Sequence, residues 1–185
     1  MQAHSQPPLL TPQIPAGDEE KVAAIFSAIE QHVGFVPDGL RLYSFSPTLL
    51  QNFVGNIGYF NSGERIPPKL MAMIRYLVSS RANCGFCIDM NEGFLSNMGL
   101  SLDEIRAARS NPEAAPFDEK DKTLLRLALK SVAEADSVTA AEIEAARAQG
   151  WSDRDIFDAV VQATSNRAFN MVLRAFNIER HGVYS

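Results

Sequence analysis

Apolar residues recur at helical spacing along most of the chain. Val22, Ile25, Phe26 and Ile29 follow the i, i+3, i+4, i+7 pattern that places side chains on one face of an α-helix. A short helical turn is expected around residues 40–45. The longer predicted helices cover about residues 18–33, 47–60, 69–81, 84–98, 101–110, 118–135, 139–150 and 152–177. No run of residues alternates between apolar and polar as a half-buried strand would. The pattern therefore predicts an all-α domain of six to eight helices.

Helix ends support this prediction. Ser101 with Glu104, and Thr139 with Glu142, have the spacing of a capping box, in which each side chain bonds the other's backbone N–H. Ahead of the first helix, residues 1–17 contain four of the ten prolines. We expect residues 1–17 to form an extended arm and residues 18–185 to form one all-helical domain.

Composition narrows the classes of function. The chain has 185 residues and a net charge of −5, which gives no electrostatic reason to bind nucleic acid or an anionic membrane. It has no uncharged apolar stretch of 18 residues, so no transmembrane helix is expected. Only two cysteines are present, too few for a secreted disulfide scaffold, and we expect a cytoplasmic protein.

The two cysteines, Cys84 and Cys87, form a single CxxC motif at a predicted helix start. Free N–H groups and the positive end of the dipole stabilise a thiolate there, and thiolate is the reactive form. Without alternating strands the motif does not belong to a thioredoxin fold. A redox pair is favoured, and two buried thiols packed as small apolar groups are the alternative. Zinc needs about four ligands, whereas the histidines are remote in sequence: His4, His32 and His181. No metal or cofactor is expected.

The segment Ser80-Arg-Ala-Asn-Cys84, the CxxC motif and the following Ile-Asp resemble the carboxymuconolactone decarboxylase superfamily, and within it the alkylhydroperoxidase D-like, peroxidase-related branch. The resemblance is strongest over residues 67–102 and weaker over residues 35–177. It implies an all-α alkylhydroperoxidase D-like fold and a homo-oligomer, a trimer or hexamer. It also implies reduction of a hydroperoxide by Cys87, resolution by Cys84 and resetting by a dithiol or protein reductant.

The sequence departs from the family at the proton relay. The family has a glutamate twelve residues before the first cysteine and a histidine four residues after the second, whereas this chain has Ala72 and Asn91. Neither side chain can accept a proton at working pH. Asn91 is nevertheless a candidate catalytic residue, because it could hydrogen-bond Cys87 or a water on the same helix face.

Other polar residues are candidates for the missing relay or for the lining of a pocket. Arg81 could stabilise a thiolate by its charge, whereas Tyr76 and Glu92 could supply a hydroxyl or a carboxylate. A surface or packing role is the alternative for each. The same two interpretations apply to a polar group within the last predicted helix, formed by Asn166, Arg167 and Asn170.

Three functions remain open. The favoured one is a thiol-dependent oxidoreductase that reduces hydroperoxides through a dithiol/disulfide cycle at Cys84 and Cys87. The alternatives are a lyase similar to carboxymuconolactone decarboxylase, and a non-catalytic protein whose disulfide switches its assembly. The CxxC motif disfavours the lyase, and the missing relay favours the switch over a fast peroxidase.

Overall fold

The described part of this computed structural model, residues 7–178, is all-helical. The helices are α1 (Glu19–Val33), α2 (Asp38–Leu42), α3 (Pro47–Asn61), α4 (Pro68–Arg81), α5 (Gly85–Asn97), α6 (Leu102–Ser110), α7 (Glu119–Ala133), α8 (Ala140–Ala148) and α9 (Asp153–Ala175). Short 3₁₀ turns cover Tyr43–Phe45, Pro112–Ala114 and Ala135–Ser137. No strand occurs in residues 7–178, so the all-α prediction is confirmed. The nine helices are the eight longer ones predicted and α2, which falls at the short helical turn expected around residues 40–45, so the predicted total of six to eight was one too low.

The chain divides into two compact units. The first contains the described residues up to Tyr59 together with Ala175–Ile178, and the second contains Phe60–Arg174. The first unit has a core of Val22, Ile29, Leu40 and Leu50. Its segment 7–18 has no regular secondary structure and precedes α1, as expected of the arm. The Leu9 side chain is exposed, and its backbone N–H donates to the carbonyl oxygen of Phe176 at 3.0 Å.

In the second unit, α4 is the most buried helix and packs against α5, α6 and α7. Pro68 begins α4, where a missing N–H costs nothing because the first helical N–H groups have no partner in the helix. Most of its side chains are then apolar and enter the core on more than one face. A helix enclosed in this way holds its buried polar side chains, Tyr76 and Ser79, in fixed positions.

Helix caps fix the other elements of this unit. Both predicted capping boxes, Ser101 with Glu104 and Thr139 with Glu142, are confirmed. Trp151 is buried, and its indole N–H donates to the carbonyl oxygen of Lys120 at 2.9 Å. Within residues 7–178 no helix has the length and apolarity needed to span a bilayer.

Candidate functional site

The connection between α4 and α5 places the two cysteines. The N–H groups of Asn83 and Cys84 donate to the carbonyl oxygens of Ser80 and Ser79, at 3.0 and 3.1 Å, which closes the end of α4. Asn83 has φ of 53°, a left-handed conformation that Asn tolerates better than most residues. The chain then turns directly into α5, with Cys84 as its N-cap. The prediction that the motif lies at a helix start is confirmed.

The two sulfur atoms are in contact. Cys84 is the N-cap and Cys87 the third residue of α5, so both side chains fall on the same side of the first turn. Both residues are free thiols and almost fully buried, with 2% and 1% of their surface exposed, and their Sγ atoms are 2.8 Å apart. The flanking residues Asn83 and Gly85 are exposed, so the thiols lie close to the surface of the unit. Closing a disulfide requires the sulfurs to approach by only about 0.8 Å.

Electrostatics distinguish the two thiols. The pKa of Cys84 is lowered, first because the Cys87 thiol hydrogen-bonds its sulfur. The Cys87 backbone N–H, the Arg174 charge and the Asn170 side chain lower it further, against a raising effect of burial. The pKa of Cys87 is raised, first by its hydrogen bond to Cys84 and then by burial and by the charge on Cys84. These contacts therefore favour ionisation of Cys84 before Cys87.

Buried amides and a hydroxyl surround the sulfurs. Asn170, which is fully buried, donates from Nδ2 to Oγ of Ser79 at 3.2 Å. Asn166 donates from Nδ2 to the same hydroxyl at 3.0 Å and to Oδ1 of Asn170 at 3.3 Å. Asn170 and Ser79 also lower the pKa of Cys87. Of the two interpretations of the polar group on the last helix, polar packing in the core fits Asn166 and Asn170, because both are buried and hydrogen-bonded to each other and to α4.

No pattern in the sequence marks Ser79 as a residue of the site. It is a common residue on a helix, and its partners are 87 and 91 residues away in the chain. The available signal was the spacing of Asn166 and Asn170, which are four residues apart and therefore lie on one face of α9.

Asn91 hydrogen-bonds Cys87, as expected, and the bond is to the Cys87 backbone. The residue is buried, and its Nδ2 donates to the backbone carbonyl oxygen of Cys87 at 2.8 Å. Its Oδ1 accepts a hydrogen bond from Nε of Arg75 at 3.0 Å. Asn91 thus supports the backbone of the first turn of α5 and joins it to α4, while the sulfurs are contacted by Asn170 and Ser79.

Ala72, where the resemblance places a relay glutamate, lies in the core. It is fully buried among apolar side chains of the second unit. Neither Ala72 nor Asn91, where the resemblance places a relay histidine, can exchange a proton near neutral pH.

The residues considered as substitutes for the relay have other partners. The Tyr76 hydroxyl donates to Oε2 of Glu92 at 3.0 Å, and burial raises the pKa of Tyr76 to about 12. Glu92 also pairs with Arg106 at 2.8 Å. The guanidinium of Arg81 donates to the carbonyl oxygen of Leu129 at 3.3 Å. These contacts fit the packing interpretation of Tyr76, Glu92 and Arg81.

The described residues form no group of three histidine, cysteine, aspartate or glutamate side chains that could hold a metal ion. His4 and His181 lie outside the described residues. A cleft of about 300 Å³ is lined by residues that include Arg81, Glu113, Arg126 and Lys130, and neither cysteine lines it.

The fold recurs in solved structures. An uncharacterized peroxidase-related protein from Silicibacter sp. TM1040 matches with a TM-score of 0.87 and 22% identity, over 100% of this chain and 97% of that one. An uncharacterized peroxidase-related protein from Ralstonia eutropha JMP134, described as an alkylhydroperoxidase AhpD core, matches with a TM-score of 0.81 and 18% identity, over 97% of this chain and 95% of that one. A cysteine-to-alanine variant of the debrominase Bmp8, in complex with 2,3,4-tribromopyrrole, matches with a TM-score of 0.68 and 19% identity, over 94% of this chain and 90% of that one.

The predicted alkylhydroperoxidase D-like fold is therefore confirmed. No protein-family model matches the sequence, and no curated protein matches it significantly. Because each identity is below 25%, these likenesses establish the fold, and the activity has to be argued from the site.

Proposed function

We propose that the protein is a thiol-dependent oxidoreductase that reduces hydroperoxides at Cys84 and Cys87. One observation carries this proposal: two buried thiols in contact at a helix start, one of them with a lowered pKa and the other with a raised pKa. Such a pair holds a nucleophile and a proton donor in contact before any substrate arrives.

The cycle has three balanced steps. The Cys84 thiolate attacks the outer oxygen of the hydroperoxide, the O–O bond breaks, and the Cys87 thiol gives its proton to the alkoxide, which leaves as an alcohol. The Cys87 thiolate then attacks the sulfur of the sulfenic acid on Cys84, which forms the disulfide and releases hydroxide, and solvent protonates the hydroxide to water. An external dithiol finally reduces the disulfide and is itself oxidised to a disulfide.

The order of the cysteines reverses the one that the family resemblance implies. The resemblance gives the attack to Cys87, whereas the neighbours of the two sulfurs favour a thiolate on Cys84. Cys84 then attacks and Cys87 resolves. Asn91 acts as a positioning residue, since it holds the carbonyl group of Cys87 and touches neither sulfur.

The experiment measures peroxide consumption with dithiothreitol as reductant for wild type, Cys84→Ser and Cys87→Ser. Ser96→Ala, at an exposed position near the end of α5, is the matched control. With one equivalent of peroxide and no reductant, Cys87→Ser should still consume it and accumulate a sulfenic acid that dimedone traps, whereas Cys84→Ser should not. Trapping only in Cys84→Ser would restore the order that the resemblance implies.

The alternative functions give other results in the same experiment. Conversion of a carboxylated lactone that survives loss of both thiols would support the lyase and reject the peroxidase. A change in oligomer size upon oxidation, without turnover of peroxide, would support the redox switch instead.

A second candidate is thiol-dependent removal of bromine. The likeness to a debrominase bound to 2,3,4-tribromopyrrole favours it, because a dithiol supplies the two electrons that replacing bromine by hydrogen requires. The balanced reaction turns the bromopyrrole and two thiols into the debrominated pyrrole, a disulfide and hydrogen bromide. Release of bromide from tribromopyrrole in the presence of dithiothreitol would support this activity, and its absence would reject it.

Three further proposals concern the surroundings of the protein. Its reductant is a dithiol or a protein reductant, and its compartment is the cytoplasm, where thiols remain reduced. The protein is also a homo-oligomer, a trimer or hexamer. Phe157 and Met171 support an oligomer, because they are largely exposed and lie 14 residues, about four turns, apart on α9. Light scattering after size-exclusion chromatography gives the mass, and a monomer at micromolar concentration would reject this proposal.

A further inference from the structure

Arg75 is a partly buried cation that the Asn91 side chain joins to the backbone of Cys87, and no carboxylate of residues 7–178 balances its charge. It lies on α4 and donates from Nε to Oδ1 of Asn91 at 3.0 Å and from Nη1 to Oδ1 of Asn61 at 3.3 Å. Both partners are neutral amides. Burial lowers the pKa of Arg75 to about 10, so the guanidinium is still charged at neutral pH. Among residues 7–178 no carboxylate forms an ion pair with it.

Several other arginines of the second unit pair with carboxylates at N–O distances of 2.7–2.9 Å: Arg65 with Asp155, Arg106 with Glu92, Arg126 with Glu113, and Arg147 with Asp153. Arg81, Arg109 and Arg174 instead donate to carbonyl or hydroxyl oxygens, whereas the partners of Arg75 are two side-chain amides. A cation withdrawn from water normally has such a partner, since desolvation of a charge is costly. The lowered pKa of Arg75 reflects burial alone. An anion bound at this position would remove that penalty.

The two amides also orient the guanidinium. Asn61 at the end of α3 and Asn91 on α5 hold Nη1 and Nε, while Nη2 has no hydrogen-bond partner within residues 7–178. Its N–H groups, in the plane of the guanidinium, match the geometry of a carboxylate. Because the Asn91 side chain joins Arg75 to the carbonyl oxygen of Cys87, an anion on Arg75 would lie one amide side chain away from the dithiol.

We propose that Arg75 forms a carboxylate-binding subsite of the dithiol site, and that the preferred substrates are hydroperoxides that carry a carboxylate group. The substrate preference rests on the proposed peroxidase function, whereas anion binding at Arg75 does not. The carboxylate accepts the N–H groups of Arg75 and thereby directs the hydroperoxide end of the molecule towards Cys84.

Anion binding is tested first, without turnover. Benzoate and its neutral analogue benzamide are titrated into the reduced protein while the side-chain Nε–H resonance of Arg75, assigned by its loss in Arg75→Gln, is followed by NMR. Benzoate should shift this resonance and saturate, whereas benzamide should not. The same response to both compounds, or no response to benzoate at millimolar concentration, would overturn the subsite.

Substrate preference is tested with cumene hydroperoxide and its para-carboxylate derivative. The ratio of kcat/KM for the carboxylated to the neutral substrate should fall about tenfold in Arg75→Gln, a difference of about 1.4 kcal/mol, because the charged hydrogen bonds to the carboxylate are lost. Arg75→Lys should recover part of this loss, since lysine keeps the positive charge but lacks the planar pair of N–H donors that a guanidinium offers to a carboxylate. The control is Arg109→Gln, whose guanidinium donates to the Ser80 hydroxyl, and it should keep the wild-type ratio.

The two possible failures are distinguishable. If wild type consumes neither hydroperoxide but benzoate still shifts the Arg75 resonance, the peroxidase proposal fails and the anion site stands. If wild type consumes both hydroperoxides and Arg75→Gln leaves the ratio unchanged, the carboxylate preference is wrong and the peroxidase proposal stands.

Discussion

The amide of Asn170 offers a sharp test of how the site is built. Asn170→Ala removes a fully buried side chain that donates to Ser79 at 3.2 Å and accepts from Asn166 at 3.3 Å. Each hydrogen bond contributes about 1 kcal/mol. The cavity left by three missing heavy atoms adds about 1–2 kcal/mol. We therefore expect the free energy of unfolding to fall by about 2–4 kcal/mol.

Urea denaturation of the reduced protein measures this loss, provided that the slope with urea concentration stays constant. Asn97→Ala removes an exposed amide at the end of α5 and should change stability by less than about 0.5 kcal/mol. The double variant with Ser79→Ala should show a coupling of about 1 kcal/mol, because the two changes delete one shared hydrogen bond. A loss for Asn170→Ala no larger than that for Asn97→Ala would refute the reasoning.

The same change should alter the chemistry of the thiols. Asn170 lowers the pKa of Cys84, so its removal should raise that pKa. The pH dependence of thiolate absorbance near 240 nm, followed in a Cys87→Ser background with and without Asn170→Ala, measures the shift. A purely structural role of Asn170 would reduce stability without moving this titration.

Three further predictions concern the backbone, the thiols and a surface ion pair. Asn83→Ala should cost about 1 kcal/mol in thermal unfolding because of its φ of 53°, and Asn83→Gly should cost less. The free energy of unfolding of the reduced protein is compared with that of a variant with serine at both Cys84 and Cys87. The difference should grow as pH rises from the lowered pKa of Cys84 to the ordinary thiol value of about 8.5. Above that value it should shrink, because Cys87 ionises only in the unfolded chain. The Lys130 ammonium first, and then Thr139, lower the pKa of Glu142 to about 2. The stability advantage of wild type over Glu142→Gln, measured by acid unfolding, should therefore shrink between pH 4.5 and 2. A stability difference that does not change with pH would contradict this prediction.

The local features of the fold follow from the sequence because their causes are local. A capping box needs two residues three positions apart, and both boxes are present where Ser101 and Thr139 predicted them. The CxxC motif at a helix start is equally local, since it depends on Asn83 ending one helix just before Cys84 begins the next. The division into two units was not predictable in this way, because it depends on how the helices pack.

The lining of the site depends on contacts between distant parts of the chain. Asn166 donates to the backbone carbonyl oxygen of Arg75, 91 residues away, and Arg75 reaches Asn91 from 16 residues away. Periodicity predicts which face of a helix is buried, but it does not indicate which buried polar residues meet. Asn91 lies four residues after Cys87, so its bond to the Cys87 carbonyl oxygen is local to α5, whereas the bond that it accepts from Arg75 depends on where α4 packs.

Ala72 and Asn91 stand at the positions where the family resemblance places a proton relay, so other neighbours have to favour a thiolate at this site. The Cys87 thiol, its backbone N–H and the charge of Arg174 lower the pKa of Cys84. In the proposed cycle, forming the disulfide removes the Cys84 thiolate and forfeits these interactions, which stabilises the reduced pair relative to the disulfide. The neighbours that lower the pKa of Cys84 therefore also make the disulfide of the proposed cycle easier for an external dithiol to reduce.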